Sequence, residues 1–192
     1  RIADANFIEE FTSWEDVLRK WPSAIASKVA LILKTRPDGT VKKRFIIDLL
    51  RSGVNGGARI PERIVLPRIS DLVASVLDLM EYNTEAENDT ADCNVELLTM
   101  DFTDAFYTLW LQEEARGQLA FRTFEGWAIF RRLCFGMAGA PLVWGRVAAA
   151  GCRLGQAIYD AREARIQCYV DDPAMAIRGC PEVRKALIAL VL

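Results

Sequence analysis

Three aspartates stand where a chain can gather charge. Asp101 ends the apolar run Leu97-Leu98-Thr99-Met100, and Asp171-Asp172 end the run Ile166-Gln167-Cys168-Tyr169-Val170. A carboxylate at the end of an apolar strand is held by a stiff element and still faces water. If the two strands are neighbours, the three side chains converge, and carboxylates that close cannot all stay ionised without cations between them. Two divalent ions roughly 3.5–4 Å apart would relieve that repulsion, activate an attacking hydroxyl, neutralise a triphosphate and stabilise its leaving group in an in-line displacement. Each motif also has a plain structural meaning: Asp-Asp is common turn chemistry, and an aspartate after a strand often caps a helix. Taken singly the structural meaning is the commoner; the chemistry rests on their occurring together.

Composition narrows the chemistry further. The 192 residues include no histidine, which removes Ser-His-Asp and Cys-His catalysis and every histidine metal site. Any metal chemistry must use carboxylates, and oxygen ligands favour magnesium or manganese over zinc. The five cysteines, Cys93, Cys134, Cys152, Cys168 and Cys180, are widely spaced with no C-x-x-C pair, so buried, reduced thiols in an intracellular protein are expected. No charged-then-apolar leader opens the chain and the longest apolar run, 187–192, is far too short for a bilayer, so no membrane role is expected. About half the residues are apolar, enough for a sizeable core in one domain or two small ones. The formal net charge of −2 weighs against a freestanding nucleic-acid binder, because phosphate contacts call for basic surfaces.

The elements that must position the aspartates follow from periodicity. Thr12 and Glu15 suggest a capping box for a short amphipathic helix through Lys20, stopped by Trp21-Pro22. Residues 28–34 read as a strand, Arg36-Pro37-Asp38-Gly39 as a turn, and 41–49 as the returning strand, giving a hairpin with a basic tip. After a glycine-rich loop, Leu66-Pro67 opens a helical pattern in Ile69, Leu72, Val73, Val76, Leu77 and Met80. Residues 81–94 read as an acidic surface loop. Residues 95–100 suggest a buried strand, 118–133 two strands joined at Glu125-Gly126, and 141–158 a long helix. Residues 165–170 and 174–177 form a second hairpin around Asp171-Asp172, followed by an amphipathic helix over 181–192.

At this point the residues match a known family. Tyr169-Val170-Asp171-Asp172 resembles the Tyr-x-Asp-Asp signature of reverse transcriptases, especially those of retroviruses and long-terminal-repeat retroelements. Met100-Asp101-Phe102-Thr103-Asp104-Ala105-Phe106-Tyr107 is similar to the family's first motif, an aspartate followed three residues later by Asp-Ala-aromatic. Residues 120–123 and 126–130 resemble the paired strands that follow, and residues 133–141, Leu-Cys-Phe-Gly-Met-Ala-Gly-Ala-Pro, resemble the next motif. Upstream, Arg44-Phe45-Ile46-Ile47-Asp48 with Asn55, then Leu66-Pro67-Arg68-Ile69, look like the fingers motifs. The similarity runs from about residue 28 to residue 177, with its motifs in the family's order.

The resemblance implies an α+β fold: a polymerase palm, an antiparallel sheet backed by helices, with a fingers subdomain and no thumb. Residues 1–94 would be mainly fingers and 95–192 mainly palm, with 118–141 partly returning to the fingers. It implies RNA-directed DNA polymerase activity with two magnesium ions, or manganese, held by Asp101, Asp171, Asp172 and the Phe102 carbonyl. Arg44, and with it Lys42 or Lys43, would contact the incoming triphosphate, and the amides around Asp104 and Ala105 would receive it. Phe106 would lie beneath the sugar and exclude a 2′-hydroxyl, while Phe135, Gly136, Pro141 and Tyr169 would shape the pocket. Partners would be an RNA or DNA template with its primer, dNTP, and the thumb and ribonuclease H regions of a longer polyprotein. Three positions depart from the pattern: Leu50 where a basic residue is frequent, Ala140 for serine, and Pro173 directly after the aspartates. Two alternatives stay open, a degenerate remnant that only binds nucleic acid or protein, and a viral-type RNA-directed RNA polymerase, which more often carries Gly-Asp-Asp.

Overall fold

A computed structural model describes residues 6–85 and 94–189. In chain order the elements are β1 (Ile8–Phe11), α1 (Trp14–Lys20), β2 (Ala26–Ser27), β3 (Val29–Thr35), β4 (Val41–Ile47), α2 (Ile69–Glu85), β5 (Val95–Thr99), α3 (Glu113–Arg116), β6 (Ala120–Arg122), β7 (Trp127–Phe130), α4 (Ala140–Ile158), β8 (Ala164–Tyr169), β9 (Asp172–Arg178) and α5 (Pro181–Ala189). They form two compact units, Arg1–Glu62 with Asp104–Leu142 and Arg63–Thr103 with Val143–Leu192.

The first unit holds a four-stranded sheet in the order β1-β7-β6-β2 and the separate β3–β4 hairpin. Residue alternation explains why the sheet is covered on both faces. Phe121, Ala128 and Phe130 face a core with Ile47, Leu49, Tyr107 and Cys134. Ala120 and Ile129 face the opposite one, against Val17 and Trp21. Burying a side chain such as Ile129 or Phe130 is worth roughly 1.5–3 kcal/mol each, so these short strands are held by packing rather than by length.

The second unit is built on an antiparallel sheet, β5-β9-β8, with β9 in the centre. Met175 and Ile177 of β9 pack with Tyr159 and Ala164 into a core joined by Leu98, Met100, Ile166 and Leu187. α2 is tied to β8 by the Arg165–Asp78 ion pair and by Gln167 donating to Ser75 Oγ at 3.0 Å. α5 is tied to β5 through Arg184, whose guanidinium donates to the Gly179 carbonyl and pairs with Glu96 at 2.9 Å.

Several expectations change. The α1 cap is Ser13, whose hydroxyl accepts from the Asp16 amide, because Asp16 stands three residues on and receives hydroxyl protons from both Thr12 and Ser13. Residues 81–85 belong to α2 rather than to a loop; residues 86–93, with Cys93, lie outside the described residues. β5 is not a buried strand: as an edge of its sheet it leaves Leu97 55% exposed. β1 and β2 carry no sequence signal long enough to read. Cys134 is buried, whereas Cys152, Cys168 and Cys180 are half-buried, and all four are free thiols. Among the described residues no helix is long and apolar enough to cross a membrane.

Candidate active site

Asp101 leaves the end of β5, and the register of that strand decides what it meets. Thr99 pairs with Ala174, and beyond them the Met100 amide donates to the Pro173 carbonyl at 2.9 Å and the Phe102 amide to the Asp171 carbonyl at 3.1 Å. Continuing the register by two places puts Asp101 directly opposite Asp172, between those two bonds. Opposed residues of this kind point to the same face, with Cα atoms about 4.5 Å apart in a non-hydrogen-bonded pair. Like charges placed so repel, and a cation between them removes the repulsion. Asp101, Asp172 and Tyr169 line one recess of about 500 Å³. Asp171 occupies the turn beside it. Among the described residues, no three acidic or thiol side chains are gathered tightly enough to hold a metal as they stand.

Pro173 sits second in a central strand, a place that normally needs a ladder donor. The structure shows why it is tolerated. In an antiparallel ladder the nitrogen and oxygen of one residue face the same neighbour; the Pro173 oxygen faces β5, so its ring nitrogen does too. A single bond, to the Met100 carbonyl, is lost at the end of β5. The pairing with Cys168 across β8 needs no donor from Pro173.

The turn itself is strained. Tyr169 pairs with Asp172, leaving Val170 and Asp171 as a two-residue loop. Val170 has φ +60°, and Asp171 is not among the positive-φ residues, the sign pattern of a type II′ turn, in which glycine is preferred first. A β-branched residue there costs roughly 1–2 kcal/mol. Two donors converge on its carbonyl: Trp144 Nε1 at 2.9 Å and Cys168 Sγ at 3.5 Å. Burial, with the nearby Cys152 thiol and the negative charge of Asp171 and Asp172, pushes the Cys168 thiol up to about 12, which keeps it protonated and donating.

The remaining expected residues lie in the first unit. Lys42, Lys43 and Arg44 are exposed on β4, and alternation puts Lys42 and Arg44 on one face. Their cross-strand neighbours are Lys34 and Ile32, so Lys34 joins that basic face, a residue the sequence reading passed over although the turn at 36–39 sets the register. Asp104 adopts a left-handed conformation, φ +54°, ahead of a 3₁₀ turn over Ala105–Thr108. Phe106 is half-buried, its ring 5.1 Å from that of Phe135. Gly136 cannot carry a side chain, since a Cβ would lie 1.9 Å from the Ile47 carbonyl oxygen. The same loop is braced by Asn55, which donates to the Gly136 carbonyl at 2.8 Å and accepts from the Ala138 amide at 3.0 Å. Pro141 is exposed in the first turn of α4, where its missing N–H costs nothing. A recess of about 330 Å³ opens between Ile46, Asn55 and Gly136, with Leu50 on its rim 78% exposed.

No protein-family model matches the chain, and no curated protein matches it in sequence. Solved structures do. A foamy viral protease-reverse transcriptase in complex with double-stranded DNA matches with a TM-score of 0.59, and a mutant of the Prototype Foamy Virus protease-reverse transcriptase with 0.61, each at 16% identity over 99% of this chain. The fold is reverse-transcriptase-like. The chain spans 26% and 20% of the length of those two proteins, and at this identity the likeness speaks for the fold alone. Within the reverse-transcriptase-like fold the donor chemistry around the hairpin suits a hard cation. Carboxylate oxygens come from two neighbouring strand ends, and no imidazole competes.

Proposed function

We propose that the chain is the fingers and palm part of a reverse transcriptase, adding deoxynucleotides to a primer 3′-hydroxyl on an RNA or DNA template. The observation that carries this reading is the register that sets Asp101 opposite Asp172 and bonds Phe102 to Asp171, in a chain whose fold is reverse-transcriptase-like. The β5-β9-β8 sheet would be the palm and the β3–β4 hairpin part of the fingers. Asp101, Asp171 and Asp172, with the Phe102 carbonyl, would hold two magnesium ions, which when bound supply Lewis acidity and charge neutralisation. Arg44 with Lys42 or Lys43 would hold the triphosphate as fixed positive charge, the amides around Asp104 and Ala105 would receive it, and Phe106 would exclude a ribose hydroxyl by bulk. Phe135, Gly136, Pro141 and Tyr169 would shape the pocket for base and template.

The test is primer extension by the full protein that contains this chain, on RNA and DNA templates, with deoxynucleotides and ribonucleotides compared. Wild type is expected to extend with deoxynucleotides. Asp171→Asn should lose at least about a thousandfold in rate, the scale on which transition-state charge stabilisation is lost. Phe106→Ala should raise ribonucleotide use. Equal extension by wild type and Asp171→Asn would end the proposal. A second reading, a remnant that binds nucleic acid without catalysis, draws support from Leu50, apolar and exposed where related elements often carry a basic residue. It predicts template binding that Asp171→Asn does not change, with no extension by wild type.

A further inference from the structure

We infer that Trp144 is a positioning residue for the paired aspartates, its indole gripping from α4 both strand ends that carry them. The inference rests on the two-metal reading above and adds to it the device that would keep the site in shape.

Trp144 is 4% exposed, and a buried indole N–H almost always finds an acceptor. Which acceptor it finds is the informative point. Nε1 donates at 2.9 Å to the carbonyl of Val170, the residue held at φ +60° between Tyr169 and Asp171. Left-handed valine persists only where its surroundings over-determine it. The same ring meets Phe102 edge-on, centroids 5.2 Å apart at 79°. Phe102 follows Asp101 and donates its amide to the Asp171 carbonyl. One side chain therefore touches the residue after the first aspartate and the residue before the second. The indole thus bonds the backbone of the turn and packs on the strand end opposite it.

The grip has a specific signature. Trp144→Phe keeps an aromatic ring and removes the donor, so Val170 should relax, and the Phe102–Asp171 bond should open more often. Val170→Gly removes the strain, since glycine takes the left-handed conformation freely. The double variant should then recover without any indole donor. A space-filling role does not predict that recovery.

The experiment reads amide hydrogen exchange at Phe102 and Mn²⁺ affinity by calorimetry, on the whole chain. In Trp144→Phe, exchange should quicken and Mn²⁺ affinity fall, each by about five- to tenfold, the worth of one buried hydrogen bond. Adding Val170→Gly should bring both back to within about threefold of wild type. Trp21→Phe is the control: it removes an indole donor, to the Glu113 carbonyl, in the first unit, and should move neither readout. Unchanged exchange and affinity in Trp144→Phe, or losses that Val170→Gly does not relieve, would overturn the inference. If Trp144→Phe does not fold, Phe102→Leu removes the ring contact while sparing the indole bond, and should quicken exchange and weaken Mn²⁺; no effect there would also overturn it. The underlying reading fails separately, if wild type binds no Mn²⁺ or Asp171→Asn binds it as tightly. Exchange at Phe102 still decides the grip in that case.

Discussion

Gly136 shows how a single position can be closed to every other residue. Its φ is +114° and an added Cβ would stand 1.9 Å from the Ile47 carbonyl oxygen, a backbone atom that cannot rotate aside. Ile47 is itself buried and donates its amide to the Phe135 carbonyl at 3.0 Å, so relief would require the Ile47–Phe135 bond to break. Gly136→Ala is expected to lower the unfolding free energy by ~2–4 kcal/mol in urea denaturation. Asn55→Ala removes two hydrogen bonds to the same loop but introduces no collision, and should cost ~1–2 kcal/mol. The order of the two is the sharper claim. A Gly136→Ala protein as stable as Asn55→Ala would mean that the loop can move away from β4, and that the close approach does not constrain it.

Between elements, the first unit is stitched by Glu9 of β1, which pairs with Lys20 of α1 at 2.7 Å and with Arg131 just past β7 at 3.3 Å. Burial alone would raise its carboxyl, but the two cations outweigh burial and hold Glu9 below the usual carboxylate range. A depressed folded value gives stability that is present above the unfolded value and lost as pH falls through the folded one. Glu9→Gln should therefore cost ~0.5–1 kcal/mol at pH 7, and the wild-type and variant unfolding curves should converge in acid. A gap that persisted after the pH had fallen through the folded value would show that shape, not charge, matters there. Elements of this kind differ in how plainly sequence announces them. The β3–β4 hairpin is legible because Pro37-Asp38-Gly39 sets its turn, and α2 and α4 because their apolar residues recur with helical period. β1 and β2 are not, since strands of four and two residues carry too few alternations and exist by pairing with distant partners. The aspartates at the strand ends are legible from apolar runs, whereas the turn between them is not: Val170 stands where type II′ chemistry calls for glycine. The indole that donates to its carbonyl, Trp144, lies 26 residues away along the chain.

For the whole molecule, weak charge and exposed apolar surface act together. The 24 basic and 26 acidic side chains nearly cancel, leaving −2, so long-range repulsion between copies is small and vanishes as carboxylates protonate in mild acid. Along α2, Ile69, Val73 and Leu77 recur every four residues and are 77%, 50% and 54% exposed, an apolar stripe on one face. Surface of that kind on a nearly neutral chain favours association. Light scattering of the chain should accordingly show concentration-dependent association that strengthens from pH 7 toward the isoelectric point near pH 5.4. Leu77→Glu, which removes the C-terminal member of the stripe and adds a charge, should suppress association at pH 7 while changing the unfolding free energy by no more than about 0.5 kcal/mol, as for surface substitutions generally. Its effect should shrink as the new carboxyl protonates. Association that survives Leu77→Glu at pH 7 would move its cause to another face, such as the exposed Leu31, Ile32 and Leu33 of β3. Association unaffected by pH would rule out weak net charge as the contributor.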